Sequence, residues 1–155
     1  EKYLRRQAPE LEGAPGLSPR EFLGLDEHGV EYVAPYGEGI DWHGVLIYHG
    51  SRIAPHSAMA AKAEYFDAGT SGVSGHTQRL GAFYYTDRAG THAWYEGGCM
   101  CRVDPAGAPP SMRGPRVNNW QQGFGLLTVE GQHVTPAVVP ITRGKFSVDG
   151  HVWEV

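Results

Sequence analysis

Gly44-Val45-Leu46-Ile47-Tyr48-His49-Gly50-Ser51 is the stretch that decides the fold of this chain. Residues 44–48 form a nearly continuous apolar run, the pattern of a central strand covered on both faces, and the run stops at His49. Residues 55–67 then read as a helix, with Ala58, Ala61, Ala63, Tyr65 and Phe66 supplying apolar surface and Gly69 as its C-terminal stop. A short strand over 70–74 follows and ends at Gly75-His76. The order is strand, histidine, helix, strand, histidine. A strand–helix–strand unit of this length is most simply a right-handed parallel crossover. Such a crossover brings His49 and His76 to the carboxyl ends of neighbouring strands, where open α/β sheets build their ligand crevices.

Working outward, Leu4, Ala8 and Leu11 lie at helical spacing in residues 1–11, interrupted by Pro9. Ser18-Pro19-Arg20-Glu21 is a sharper helix start, a capping box with proline at the first helical position, and Gly24 stops that helix early. Residues 30–33 read as a strand of period two. Beyond His76 the pattern turns to β. Residues 82–86 and 92–95 flank Asp87-Arg88-Ala89-Gly90 as a hairpin, and residues 104–119 form a long loop rich in proline and glycine. Short strands are expected at 124–129, 134–141, 146–148 and 152–153, with turns at Glu130-Gly131, Arg143-Gly144 and Asp149-Gly150.

At 155 residues the chain has the size of a single domain, and 41% hydrophobic with 19% charged residues is ordinary for a globular protein. A formal charge of −4 leaves no electrostatic footprint for wrapping duplex nucleic acid. Cys99 and Cys101, one residue apart, read as two reduced thiols on one strand rather than a disulfide or a zinc pair. No apolar run reaches a membrane span and no signal peptide is visible, so the expected location is cytoplasmic. The chain opens at Glu1 without methionine and reads as a processed product, a fragment or one piece of a split protein.

Gly75-His76-Thr77-Gln78-Arg79-Leu80 resembles the terminal G-H-x-H motif of the calcineurin-like metallophosphoesterases, and residues 45–50 resemble the strand and histidine that precede it there. Residues 70–76, Trp94-Tyr95-Glu96-Gly97-Gly98-Cys99 and Asn119-Trp120-Gln121-Gln122-Gly123-Phe124 look like the bacterial and phage branch of that superfamily. The likeness covers nearly all of residues 1–155, as a single domain resembling the C-terminal half of such an enzyme with the N-terminal half absent. It implies an α/β (α+β) fold, part of an αββα sandwich in which the parallel βαβ crossover is followed by antiparallel strands. It also implies a hydrolase, phosphatase or phosphodiesterase, that splits a phosphomonoester or phosphodiester with hydroxide held between two divalent metals about 3.5–4 Å apart. Mn, Fe, Zn and Ni all suit imidazole and carboxylate ligands. A nucleotide or nucleic acid is among the implied substrates.

By this resemblance His49 and His76 are ligands of one metal, and Gln78, standing where the family has its last histidine, is a weaker oxygen donor. Arg79 and His56 lie near the expected crevice, with Arg79 a candidate phosphate contact. No catalytic side chain is assigned. The family's early D-x-H, G-D-x-x-D and G-N-H motifs are missing, so the chain by itself is not expected to build the dinuclear centre. Asp41-Trp42-His43 has D-x-H spacing but precedes its strand, at the opposite end from His49. His28, His92, His133 and His151 read as local turn or strand-end residues, and Trp94, Trp120 and Trp153 as core. Asn118 and Asn119 are candidates for shaping a loop near the site. Half a sandwich exposes apolar sheet and strand edges, so a missing N-terminal half or a partner chain is expected to cover them. Two functions follow: a metal-dependent phosphohydrolase needing its N-terminal half, or a catalytically degenerate domain with a structural or binding role.

Overall fold

The computed structural model describes residue 8 and residues 18–33, 39–103 and 119–155. The expected helix over 1–11, apart from Ala8, and most of the proline-rich loop, with Asn118, lie outside the described residues. The chain divides into two compact units, Glu1–Ala34 and Pro35–Val155.

In the first unit, helix α1 (Pro19–Phe22) starts at the expected capping box. The Glu21 N–H donates to Ser18 Oγ at 3.2 Å, and the Ser18 hydroxyl donates to the Glu21 carboxylate at 2.8 Å. Gly24, at φ 59°, then turns the chain. Residues 30–33 form no strand, against the alternation of their sequence. The Val30 N–H is taken by Leu25 O at 2.9 Å, which closes the preceding turn.

The second unit is mixed α/β. Among the described residues its main sheet has five strands, β1 (Ile40–Trp42), β2 (Val45–Ile47), β3 (Ser71–Ser74), β4 (Leu80–Asp87) and β5 (Gly90–Gly97), in the order β1-β2-β3-β5-β4. β2 and β3 pair in parallel, Val45 opposite Ser71 and Ile47 opposite Val73, and helix α2 (Met59–Ala68) crosses between them. The expected crossover is present. β3 also pairs in parallel with β5, because the β4–β5 hairpin sends its second strand back beside β3. β1 was not anticipated. It folds back on β2 through a turn at His43-Gly44, in which Asp41 Oδ1 accepts the Gly44 N–H at 3.0 Å. Two further hairpins follow, β6 (Gly123–Glu130) with β7 (His133–Pro140) and β8 (Lys145–Val148) with β9 (His151–Glu154), with turns where the sequence puts them.

Helix α2 begins at Met59 rather than at residue 55, because Ala58 adopts a left-handed φ of 65°. Gly69, also left-handed, closes it by donating to Tyr65 O at 2.8 Å. The buried face is Ala60, Ala61, Glu64 and Tyr65, which share one side of a 3.6-residue period. Phe66 belongs to the next face and is exposed, not part of the expected apolar stripe. Ala61 and Tyr65 pack on Trp94 of β5, with Leu46, Tyr48 and Phe83 around them. Trp94 fits because Gly72 of β3 lies beneath it; a Cβ at Gly72 would stand 2.5 Å from the indole. The indole N–H donates to Ser74 Oγ at 3.1 Å. Trp153, expected in a core, is instead 55% exposed and stacks on Phe146, since a two-stranded ribbon leaves its outer face open.

Candidate functional site

His49 leaves β2 and His76 leaves β3 at the same, carboxyl end of the parallel pair. The backbone joins them first. The carbonyl of His49 accepts both the Gly75 N–H at 3.0 Å and the His76 N–H at 2.8 Å, extending the β2–β3 ladder past the ends of the strands. Side chains follow the backbone: His76 Nδ1 lies 3.0 Å from His49 Nε2, with the rings edge to face. One nitrogen donates and the other accepts when both rings are neutral. Two imidazole nitrogens on adjacent corners of a tetrahedral ion, each about 2.0–2.1 Å from it, stand about 3.3–3.4 Å apart. The observed 3.0 Å is the spacing of a ring-to-ring hydrogen bond, a little shorter than that. No cluster of three His, Cys, Asp or Glu side chains able to hold a metal occurs among the described residues.

Gly50 makes the close approach possible. Its φ is 95°, and a Cβ there would stand 3.0 Å from Ser74 Cβ and 3.2 Å from His76 Cβ. Glycine answers both demands.

The G-H-x-x loop is a tight turn. Gln78 N–H donates to Gly75 O at 3.1 Å, and Gln78 itself takes a left-handed φ of 58°. Its amide oxygen lies 3.9 Å from the Cys101 thiol. Arg79 is half-buried and turns away to two backbone carbonyls, Asn119 O at 3.0 Å and Ala54 O. Its guanidinium thus ties three segments together. His56 is exposed in the turn before α2. Asp41 and His43 sit at the other end of β2 from His49, with His43 Nδ1 2.9 Å from Gln132 Oε1.

The two sequence blocks that flank the motif converge on this loop. Gln121 N–H donates to Gln78 O at 3.1 Å, and the Leu80 N–H donates to Gln121 Oε1 at 3.2 Å. From the end of β5, the Gly98 N–H donates to Arg79 O at 2.8 Å. Cys99, just past β5, and Cys101, in a bend, are both free thiols. Burial, then the neighbouring Cys101, pushes the Cys99 thiol up to about 11, so it stays protonated at neutral pH and is a poor thiolate ligand.

Sequence reasoning missed two residues. Glu64 of α2 and Glu96 of β5 are 1% and 0% exposed. Glu64 Oε1 accepts the Ser51 and Arg52 N–H groups at 2.6 and 2.7 Å, and its Oε2 accepts the Tyr48 hydroxyl. Glu96 Oε1 accepts the Thr77 hydroxyl at 2.5 Å, and its Oε2 accepts the Ala58 N–H at 2.5 Å. A signal existed for Glu64, which falls four residues after Ala60 and three after Ala61 on the buried face. Charged residues are rarely buried whole, so its place on that face does not by itself mark Glu64 as buried.

Comparison with known proteins brings in two phage relatives. The chain is 39% identical over 160 residues to the Gene 54 protein of Mycobacterium phage D29. It is 37% identical over 162 residues to the Gene 54 protein of Mycobacterium phage L5. Each match covers 99% of this chain and 61% of the relative, so the chain spans about three fifths of the length of these relatives. No model of a known protein family matches, and no solved structure matches.

Proposed function

We propose that this chain is the C-terminal half of a metal-dependent phosphohydrolase of the calcineurin-like type, completed by further polypeptide that supplies the remaining metal ligands. The observation that carries the reading is the meeting of His49 Nε2 and His76 Nδ1 at 3.0 Å, at the carboxyl ends of adjacent parallel strands. The mixed α/β sheet with its β2–α2–β3 crossover is compatible with one layer of an αββα sandwich. Matches that span about three fifths of the phage relatives agree with a chain that is part of a longer protein.

A divalent metal, when bound, supplies charge neutralisation on a phosphoester oxygen and a water of lowered pKa. Within this chain His49 and His76 would hold one side of that metal, their backbones tied together by the bonds to His49 O. Gln78, in the same loop, would be a weaker neutral oxygen donor, its amide oxygen now lying beside the Cys101 thiol. Arg79 braces the loop through Ala54 and Asn119 rather than reaching outward for phosphate. A cytoplasmic location belongs to the same proposal; no helix among the described residues is long and apolar enough to cross a membrane.

The test is Mn²⁺-dependent hydrolysis of a chromogenic phosphomonoester and phosphodiester. It is run with this chain alone and with the rest of the polypeptide supplied from the D29 relative. Activity is expected only in the completed protein, and His76→Ala should abolish it. Hydrolysis that is absent from the completed protein, or indifferent to His76→Ala, would overturn the reading. One observation favours a second reading, a degenerate domain used for assembly: Gln78 stands in place of the last histidine of the motif, with its amide oxygen beside Cys101. A folded, completed protein that binds no cation at His49 and His76 would support it.

A further inference from the structure

We infer that Glu64 and Glu96 are positioning residues for the histidine pair, each buried carboxylate holding in place the loop that carries one histidine. The inference rests on the reading of His49 and His76 as metal ligands, but its geometry stands without a metal.

Glu64 brackets His49 on both sides in the chain. It accepts from the hydroxyl of Tyr48, the residue before, and from the backbone N–H groups of Ser51 and Arg52, just after. The turn at His49-Gly50 is thus closed around one carboxylate. Gly50 shows how close this clamp is to the other histidine: the point where its Cβ would stand is 3.3 Å from Glu64 Oε1 and 3.2 Å from His76 Cβ.

Glu96 does the same for His76. It accepts from Thr77, the next residue, and with its other oxygen from Ala58 N–H, which fixes the left-handed turn that starts α2. Gly81 leaves room for this bond, since a Cβ there would stand 2.5 Å from Ala58 N. With the two N–H bonds to His49 O, each histidine is held from its own flank and from its partner's backbone.

A core that needed only stability has a simpler solution than two enclosed carboxylates, because apolar residues of the same volume are often no less stable there. What the carboxylates add is a fixed direction for several loop N–H and O–H groups at once. Partners bonded directly to a metal ligand typically contribute about 10–100-fold in metal affinity; these carboxylates bond the residues that flank the ligands, and the same range bounds their effect.

The experiment uses two readouts on the intact protein. The first is Ni²⁺ affinity by calorimetry, with His76→Ala as the background for other histidines. The second is the imidazole ¹⁵N–¹H spectrum without metal, which reports the His49–His76 contact directly. Thr77→Val, which keeps the shape and removes the hydroxyl, should weaken Ni²⁺ binding about 10–100-fold and broaden the His76 ring signals. Thr77→Ser should restore both. Glu64→Ala should do the same to His49, while Glu64→Gln, which can still accept the two N–H bonds, should keep the His49 signals. Should Glu64→Ala fail to fold, Thr77→Val against Thr77→Ser decides alone. Unchanged affinity and unchanged ring signals in folded Thr77→Val would overturn the inference. If the unmutated protein binds no Ni²⁺ above the background, the metal reading falls, and the ring spectra still decide whether the carboxylates position the pair.

Discussion

The two faces of the main sheet are built on opposite plans. The face under α2 is closed: Leu46, Tyr48, Gly72, Ser74, Trp94 and Glu96 alternate inward from three neighbouring strands, and Trp94 and Glu96 are wholly buried. The other face, at the same carboxyl end, opens into an apolar groove of about 380 Å³ lined by Ile47, Val73, Met100, Phe124 and Leu127, among others. The closed face has its polar groups satisfied by short bonds to Glu64, Glu96 and Ser74. On the open face the side chains are mostly half-exposed and apolar. The first face encloses two carboxylates bonded to the residues that flank the histidines, and the second leaves the strand ends beside an open apolar groove.

Four changes break or sharpen this contrast, in order of expected size. Trp94→Ala removes the centre of the closed face and should cost about 3–5 kcal/mol, enough to unfold the second unit in a urea titration. Gly72→Ala forces a methyl into the indole and should cost about 1–3 kcal/mol by the same titration, with a loss of near-ultraviolet signal from Trp94. Leu127→Ala on the open face should cost about 1 kcal/mol or less, because Leu127 is only half-buried. A cost for Leu127→Ala as large as that for Gly72→Ala would mean that the groove is covered in the working protein. The smallest effect is chemical. Iodoacetamide near pH 8 should label exposed Cys101 well before Cys99, whose thiol pKa is pushed up to about 11, and equal rates would contradict that assignment.

Much of this architecture was legible before any coordinates. The crossover was readable because an apolar run, a helical stretch and a second strand of the right lengths have few ways to connect. Turns at Asp87-Arg88-Ala89-Gly90, Glu130-Gly131 and Asp149-Gly150 announced themselves through residues that tolerate tight backbone. The failures share a cause. Residues 30–33 alternate like a strand, but a strand exists only with a partner, and Leu25 takes the Val30 N–H first. Ile40–Trp42 is three residues long, too short for its alternation to mark a strand, and it is one only by pairing with β2. Trp153 reads as core by composition, yet nothing among the described residues covers it.

By itself, then, the sequence determined the order of elements, the parallel pairing of the two central strands and the meeting of His49 with His76, since all three follow from short-range periodicity and chain connectivity. Only the tertiary structure decided which face of α2 is buried, and with it that Glu64 and Glu96 lie behind the two histidines. The reason is physical: a carboxylate goes inside only where donors converge on it. Here those donors, from Tyr48, Ser51, Arg52, Ala58 and Thr77, come from segments that meet only once the sheet is assembled.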